Sequence, residues 1–311
     1  MFEAIARDKR SSATVLVKRA AGELARAVEE IGADDPGVFW NALVALVTEL
    51  VWAKRDMAPF LNLGGDVLSA AERGVLSGSS PDTLKSAAVA AADEVWEFAE
   101  ADVERVATEA EKALPPCATV ATLSSSAAVE AALRRVAARD VTVLLAESRP
   151  SLEGVDLAGR LAEAGLSPIV VSDAALPGRI TRADLVVLGA DAVTERTFVN
   201  KTGSYGAALA AREADVPVYV LAQKSKIIPE ALSREPGADD AAALVGEPPR
   251  GVTVENHLFE PVPLSLVRAV VTEDGLLEPD ELPDVLRGRP VSPALLQVLF
   301  PKRAQTARTA P

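Results

Sequence analysis

One segment of the chain places an acid, an amide and a cation within a few residues of an apolar run. Residues 185–188 are uniformly apolar, as is typical of a parallel strand that is buried on both faces. Asp191 follows after Gly189 and Ala190, whose small size lets the backbone pass close to a neighbour or a ligand. Because open α/β sheets bind ligands at the carboxyl ends of their strands, Asp191 is predicted to lie at the mouth of a pocket.

A second polar group follows shortly after Asp191. Asn200 and Lys201 supply the amide and the cation, and Thr202 with Gly203 can begin a helix over residues 205–212. Free N–H groups at such a helix start suit an anion. The combination predicts binding of a phosphorylated small molecule. The simpler alternative is that Asp191 caps a turn and that residues 200–203 only start a helix.

The first part of the chain is predicted to be helical. From Ser12 to about Leu114 the apolar residues recur at spacings of three and four, which indicates amphipathic helices. The expected breaks are residues 32–36, Pro59 with Gly64 and Gly65, and residues 78–81, where Ser80 or Asp82 could cap the next helix. About four helices result.

The pattern changes after Pro115 and Pro116 to short β-branched runs that alternate with amphipathic segments. Such alternation is typical of βαβ units and of a parallel sheet with right-handed crossovers. The predicted strands are residues 119–123, 141–146, 167–171, 185–188 and 216–222. We therefore expect an α/β protein with a helical N-terminal domain over residues 1–114 and a Rossmann-like domain over residues 115–301, with helices on both faces of a mainly parallel sheet. Residues 302–311 are expected to form a frayed tail.

Composition narrows the class of protein. A chain of 311 residues with 49% hydrophobic and 25% charged residues is typical of a globular protein of about two domains. The net charge of −13 disfavours direct nucleic-acid binding and fits either a salt-adapted or an ordinary acidic surface. A cytoplasmic location is expected, since no signal peptide opens the chain. The apolar stretch 38–53 is interrupted by polar residues, so we expect it in a helical core or interface and not in a membrane.

Generic motifs argue against a resident cofactor or metal. The chain has no GxGxxG motif for a dinucleotide and no GxxxxGK[ST] motif for a nucleoside triphosphate. His257 is its only histidine and Cys117 its only cysteine. These counts exclude a zinc site built from several histidines and cysteines, and they exclude a catalytic triad that needs a histidine base. His257 is expected at the surface or behind the site. Cys117 is expected to be a small buried hydrophobe at the end of the sheet away from the pocket.

Motifs along most of the chain resemble one known family. The matching segments are residues 10–13 (RSSA), 55–62 (RDMAPFLN), 122–133 (TLSSSAAVEAAL), 147–154 (ESRPSLEG), 185–207 (with GAD and NKTGSY), 222–229 (AQKSKIIP), 254–263 (VENHLFEPVP) and 272–275 (TEDG). They resemble the family that contains the alpha, beta and delta subunits of translation initiation factor 2B, 5-methylthioribose-1-phosphate isomerase and archaeal ribose-1,5-bisphosphate isomerase. The resemblance implies the same two-domain fold.

The resemblance also implies a set of site residues. In the isomerase branches a cysteine after the first strand of the α/β domain and the Asp of the GAD motif form an acid/base pair. Asp191 matches the Asp, and Ser124 stands at the cysteine position. Serine is a poor substitute for cysteine, because the pKa of a hydroxyl is far above that of a thiol. No histidine is available to activate the hydroxyl. The positions that match the ligand pocket are Arg10, Ser11, Ser12, Ala13, Arg55, Asn200, Lys201 and Lys226.

Two functions follow from the resemblance. The missing cysteine favours a regulatory subunit similar to those of initiation factor 2B, which binds a phosphorylated small molecule, a sugar phosphate or a nucleotide, without turnover. The alternative is an aldose-ketose isomerase of a phosphosugar with Asp191 as acid/base. For Arg55 and Lys226 a simpler interpretation is that they are solvated ends of a helix and a strand.

Both functions imply association into homodimers or with paralogous subunits. Aromatic-containing apolar segments are candidates for the interface, although core packing is the expected place for Trp40 and Trp52. The candidate anchors are Phe39, Trp40, Trp52, Phe60, and Phe259 with Pro261 and Pro263.

Overall fold

A computed structural model describes residues 1–8, 11–289 and 291–300, and these fall into two compact units. The first unit comprises Met1–Ala101 and the chain from Val285 onward, and the second comprises Asp102–Asp284. The division therefore lies inside a long helix and not at the predicted boundary after residue 114. The helices of the N-terminal segment are α1 (Glu3–Arg7), α2 (Ala13–Glu29), α3 (Pro36–Ala53), α4 (Ala58–Leu76) and α5 (Pro81–Glu111).

Capping side chains explain where these helices begin. The Asp35 carboxylate accepts hydrogen bonds from the first backbone amides of α3, and Ser80 accepts one from Thr83 at the start of α5. The predicted break at Pro59 is confirmed in part: α3 ends at Ala53 and α4 begins at Ala58, but α4 continues through Gly64 and Gly65. Proline fits the first turn of α4, where its missing N–H leaves no bond unmade. Gly64 lies inside α4, where its missing side chain allows α3 to pack closely. A Cβ at this position would lie 2.9 Å from Val47 and Val51 of α3.

Helix α3 is the one described helix that is long and apolar enough to cross a membrane by length and composition alone, a test that the core helix of a globular protein also passes. One face of it packs within the first unit through Phe39, Leu43 and Val47, all fully buried. The other face leaves Trp52 49% exposed, so the expectation of core packing is wrong for this side chain. Trp52 is exposed because it lies opposite the packed stripe of the helix.

The second unit is built on a seven-stranded sheet. Its strands are β1 (Thr119–Thr122), β2 (Thr142–Ala146), β3 (Ser167–Val171), β4 (Leu185–Gly189), β7 (Val218–Leu221), β9 (Ala269–Thr272) and β10 (Gly275–Leu277). They lie in the order β10-β9-β7-β4-β1-β2-β3, and only the β9–β10 pair is antiparallel. All five predicted strands are present, and the mixed α/β fold with a helical N-terminal region and a mostly parallel sheet is confirmed.

A smaller antiparallel sheet lies beside the parallel one and was not predicted. It contains β5 (Ala192–Val193), β6 (Thr197–Lys201) and β8 (Phe259–Pro263), in the order β5-β6-β8. Asn200 and Lys201 are thus the last two residues of strand β6. The signal was missed because β5 has two residues and β8 is interrupted by two prolines, a residue type that is tolerated on edge strands.

The remaining helices connect or follow these strands. They are α6 (Ala127–Arg135), α7 (Glu153–Glu163), α8 (Ser204–Glu213), α9 (Ala242–Val245), α10 (Leu282–Arg287) and α11 (Pro293–Leu299). In the first unit, α11 packs on α4, where Gly65 lies under Leu295. The expected frayed tail lies outside the described residues.

Candidate functional site

The candidate site lies at the point in the parallel sheet where the chain stops adding strands toward one edge and begins adding them toward the other. Strands β1 and β4 are neighbours, and the chain leaves them toward opposite sides of the sheet, since β2 follows on one side and β7 on the other. Ser124 follows the end of β1, and Asp191 follows the end of β4. Such a reversal leaves a crevice at the carboxyl ends of the strands, which is where α/β proteins bind ligands.

Gly189 brings the two strand ends close together. A Cβ at this position would lie 2.6 Å from both the Cβ and the Oγ of Ser126, which caps α6. The prediction that Gly189 allows a close approach at the strand end therefore has a specific cause: the start of α6 occupies the space of the missing side chain.

Backbone hydrogen bonds of the small sheet assemble the polar side chains around Asp191. The Asp191 amide donates to the Val199 carbonyl at 2.8 Å, which sets Asp191 against the end of β6. The Ile228 amide donates to the Val193 carbonyl at 2.9 Å, which sets the turn that carries Lys226 against β5. The end of β6 and the turn that carries Lys226 are thereby both joined to the segment of Asp191.

Asp191 and Lys226 influence each other's protonation. Burial raises the pKa of Asp191 above its ordinary value, while the ammonium groups of Lys226 and Lys201 act to lower it. Burial lowers the pKa of Lys226, while the Asp191 carboxylate acts to raise it. Shifts of this kind bring both groups closer to the range in which proton transfer is useful. The interpretation of Lys226 as a solvated strand end is wrong, since the side chain is buried.

Lys201 joins this group to Ser124 through Glu153, a residue that we did not predict to be in the site. The Nζ of Lys201 lies 2.6 Å from the Oε1 of Glu153, and the Oγ of Ser124 donates to the same oxygen at 3.2 Å. The other carboxylate oxygen of Glu153 is buried and accepts no hydrogen bond from the described residues. Lys201 is itself buried and lies over the ring of Phe259, 5.8 Å from its centroid.

Close packing of α7 on β2 places Glu153. It is the first residue of α7, and a Cβ on the next residue, Gly154, would lie 1.9 Å from the Ala146 carbonyl oxygen. The loop before it is held by Ser148, whose Oγ accepts a hydrogen bond from the Ser124 amide at 2.8 Å. An acidic residue before glycine, at a helix start after a parallel strand, is the sequence signal that could have identified Glu153.

The start of helix α8 differs from the prediction of free N–H groups. The Oε1 of Glu260 accepts hydrogen bonds from the amides of Gly203 at 2.7 Å and Tyr205 at 2.9 Å. The protein's own carboxylate thus takes the place that we expected for an anion, because the partial positive charge of a helix N-terminus attracts it. The amide of Asn200 is also engaged, since its Nδ2 donates to Ser204 at 2.9 Å.

The TEDG segment, residues 272–275, holds the turn that carries Lys226. Its two central residues form the turn between β9 and β10. Both carboxylate oxygens of Glu273 accept a hydrogen bond from the backbone amide of Lys224, at 3.2 and 2.9 Å. This contact fixes the start of the turn that carries Lys226.

The predicted site residues of the N-terminal unit have local roles in the described structure. Arg10 lies outside the described residues. Ser11 donates its amide and hydroxyl to Asp8, at 2.9 and 2.8 Å. The hydroxyl of Ser12 caps α2, and Ala13 is the first residue of that helix. Arg55 is buried and interacts with other groups of the protein, so its interpretation as a solvated helix end is wrong.

The single cysteine and the single histidine both lie on the surface. Cys117 precedes β1, at the end of the sheet away from Asp191, as predicted, but it is exposed and not buried. Its amide donates to the Arg139 carbonyl at 2.8 Å in a turn with a φ of 58°, and this turn holds the residue outside the core. The His257 side chain is 48% exposed.

Sequence comparison now decides the family. A profile of the initiation factor 2 subunit family matches residues 9–279. The chain belongs to this family. Proteins with different names and functions belong to this family, as three relatives illustrate.

A putative translation initiation factor eIF-2B subunit 2-like protein of Pyrococcus horikoshii is 29% identical over 276 residues, which are 88% of this chain and 93% of the relative. The ribose 1,5-bisphosphate isomerase of Archaeoglobus fulgidus is 29% identical over 218 residues, 66% of this chain and 68% of the relative. The methylthioribose-1-phosphate isomerase of Gemmatimonas aurantiaca is 39% identical over 151 residues, 45% of this chain. The match spans less than half of that enzyme, 43% of its length.

Solved structures of the family share the fold. The translation initiation factor eIF-2B of Pyrococcus horikoshii superposes with a TM-score of 0.75 at 24% identity, over 91% of this chain and 96% of that one. A chain of the tetrameric eIF2B-beta2-delta2 complex from C. thermophilum gives a TM-score of 0.74 at 23% identity, over 91% of both chains. The second structure shows that members of this fold assemble with paralogous subunits.

Proposed function

We propose that this chain binds a phosphorylated sugar in the crevice beyond β1 and β4 and acts on it as an aldose-ketose isomerase. The observation that carries the proposal is that two carboxylates act on one buried cation: the Oε1 of Glu153 lies 2.6 Å from the Nζ of Lys201, and the charge of Lys201 acts to lower the pKa of Asp191. A second carboxylate with an unused, buried oxygen is suited to contact a hydroxyl or to take a proton from a ligand.

Charge supports a small anionic ligand. Lys201 and Lys226 are buried in a chain whose net charge is −13, and buried lysines are rare unless they have partners or a function. Each ammonium can contact a phosphate or a polarised carbonyl oxygen. We propose that Lys226 supplies the charge that stabilises the C2 oxygen of the enol intermediate, since its charge interacts with that of Asp191.

A binding test separates this site from the rest of the surface. Titration with ribose 1,5-bisphosphate or 5-methylthioribose 1-phosphate is expected to raise the melting temperature of the wild type. Lys226→Met should weaken binding by about tenfold or more, because it removes a charge-assisted contact. Lys224→Met is the matched control, since Lys224 is half-exposed and pairs with Asp274 at the surface. No thermal shift at millimolar ligand would reject the binding site.

A turnover test addresses the reaction. Ketose formation from either sugar phosphate is expected in the wild type, and Asp191→Asn should reduce it by about 10² to 10⁴, as for other acid/base groups. Binding without turnover in the wild type would exclude the isomerase.

The second candidate is a regulatory subunit similar to those of initiation factor 2B, which binds the same ligand without turnover. Ser124 favours it, because the hydroxyl stands where the isomerase branches have a thiol and has no histidine to activate it. Under this candidate the ligand would alter association with a homologous chain. Sedimentation with and without ligand tests this, starting from a dimer of the 32.4 kDa chain.

A further inference from the structure

We infer that Glu153 is the second proton-transfer group of the pocket, acting with Asp191 on a furanose 1-phosphate and taking the part for which Ser124 is unsuited. The inference rests on the proposed function, since it needs a bound sugar phosphate. It goes beyond that function because it assigns the step to a residue that the predicted site did not contain.

The first argument is the direction of the hydrogen bond between Ser124 and Glu153. A hydroxyl donates and an ionised carboxylate only accepts, so the proton of Ser124 lies toward Glu153 at 3.2 Å. A carboxylate is by far a stronger base than a neutral hydroxyl. A proton that leaves a ligand at this place therefore goes to Glu153 and not to the serine oxygen.

The second argument is the unequal use of the two carboxylate oxygens. Oε1 accepts from both Ser124 and Lys201, while Oε2 is buried and accepts no bond from any described residue. Leaving a buried carboxylate oxygen without a hydrogen-bond partner is unfavourable. That oxygen is satisfied when a ligand hydroxyl or a transferable proton faces it.

The third argument is that the local backbone holds these groups rigidly. Ser124 has a φ of 64°, in the left-handed region that a residue other than glycine seldom adopts, and its amide is fixed by Ser148. Glu153 is fixed by the contact of Gly154 with the end of β2. A salt bridge alone does not require such placement, whereas proton transfer requires it.

The reaction needs two proton-transfer groups and no co-reactant. As the bond between C1 and the ring oxygen breaks, the ring oxygen takes a proton from one carboxylic acid. The C2 proton passes to the other carboxylate, which leaves an enol with a C1=C2 double bond and the phosphate still on C1. The O2 proton is then lost and C1 takes a proton, which gives a ketone at C2. Two protons are given and two are taken, so the sum is an isomerisation.

Exchange of the C2 proton with solvent tests the inference. Wild-type protein is mixed with ribose 1,5-bisphosphate in D₂O, and loss of the C2–H signal is followed by NMR while affinity is measured by calorimetry. We expect Glu153→Gln to bind within a few-fold of the wild type, because the amide oxygen still accepts from Lys201, but to exchange at least about 10²-fold more slowly. Glu153→Asp, which keeps a carboxylate, should restore part of the exchange.

Two further variants complete the comparison. Ser124→Ala removes one hydrogen bond to Glu153, and its rate of C2-proton exchange should fall less than that of Glu153→Gln. Glu163→Gln makes the same chemical change at the exposed end of α7, and its exchange rate and affinity should match those of the wild type.

Each failure has a distinct meaning. Wild-type exchange by Glu153→Gln, or an equal loss in Ser124→Ala, would overturn the role of Glu153 while leaving the isomerase intact. Tight binding without any exchange in the wild type would overturn this inference and the isomerase but not the binding site. Absence of binding by the wild type would overturn the proposed function as a whole.

Discussion

Lys226 and Asp191 interact through their charges, and each offsets part of the effect that burial has on the other. Burial alone favours the neutral form of both groups, whereas the opposite charge of the partner favours the ionised form. The two side chains are 35 residues apart in sequence, and they meet because the turn after β7 pairs with β5. This relationship makes the protonation of one group a probe of the other.

Replacement of Asp191 should therefore change the titration of Lys226. In Asp191→Asn the carboxylate that raises the pKa of Lys226 is gone while burial remains, so this pKa is expected to fall further below its ordinary value. NMR of the lysine Cε and Nζ signals against pH measures the change. An unaltered Lys226 titration in a folded variant would show that the two groups do not interact.

The same pair predicts how stability depends on pH. The pKa of Asp191 is raised in the folded state, so the folded protein binds more protons than the unfolded chain between the ordinary carboxyl pKa near 4 and the raised value. The contribution of Asp191 to the free energy of unfolding is fully present below that window and is lost as the pH rises through it. Chemical denaturation at several pH values should show the wild type losing stability relative to Asp191→Asn as pH increases. A constant difference would contradict the raised pKa.

Gly154 is expected to be essential for placing Glu153. In Gly154→Ala the new Cβ meets the Ala146 carbonyl oxygen at 1.9 Å, so α7 must move away from β2. A loss of about 2 kcal/mol or more in the free energy of unfolding is expected, together with weaker ligand binding. Gly159→Ala is the control on the same helix, because nothing lies within 4 Å of its Cβ position. The control should gain up to about 1 kcal/mol, since alanine favours helix. Equal effects of the two substitutions would exclude the close contact.

Glu260 should stabilise helix α8 by its charge. Glu260→Gln keeps an acceptor for the amides of Gly203 and Tyr205 but removes the negative charge at the helix start, so a loss of about 0.5–1 kcal/mol is expected. Glu213→Gln removes the same charge at the last residue of α8 and should be neutral or slightly stabilising. Denaturation of both variants at low salt compares them. A loss in Glu213→Gln as large as that in Glu260→Gln would argue against the helix dipole as the cause.

Cys117 should react freely in the folded protein. The residue is exposed, so a thiol reagent such as Ellman's reagent is expected to modify it at a rate within about tenfold of that in denaturant. Cys117→Ser, which should not react, provides the blank. Strong protection in the native state would mean that another surface covers this turn.

Periodicity predicted the secondary structure well where the elements are long or fully buried. Strands β1, β2, β4 and β7 and the helices from Ser12 onward follow directly from spacing, because a buried face imposes its period on the sequence. Strand β3 was predicted from its apolar, β-branched run, although three of its five residues are exposed. Periodicity failed at Gly64 and Gly65, which lie inside α4, and at the short strands β5 and β8. Two-residue and proline-containing strands carry no readable period, so their pairing is set by tertiary contacts.

By itself, the sequence determined the family, the alternation of strands and helices, and the placing of Asp191 and Ser124 at strand ends, because local periodicity and motifs encode these features. Tertiary structure alone decided which polar groups meet. Glu153 joins Ser124 to Lys201, and Glu260 occupies the start of α8, across separations of 29, 48 and 57 residues. Such contacts depend on strand order and on the close approach that Gly154 permits. The physical reason is that local spacing constrains which face of an element is buried, whereas the partner across that face is chosen only when the sheet is assembled.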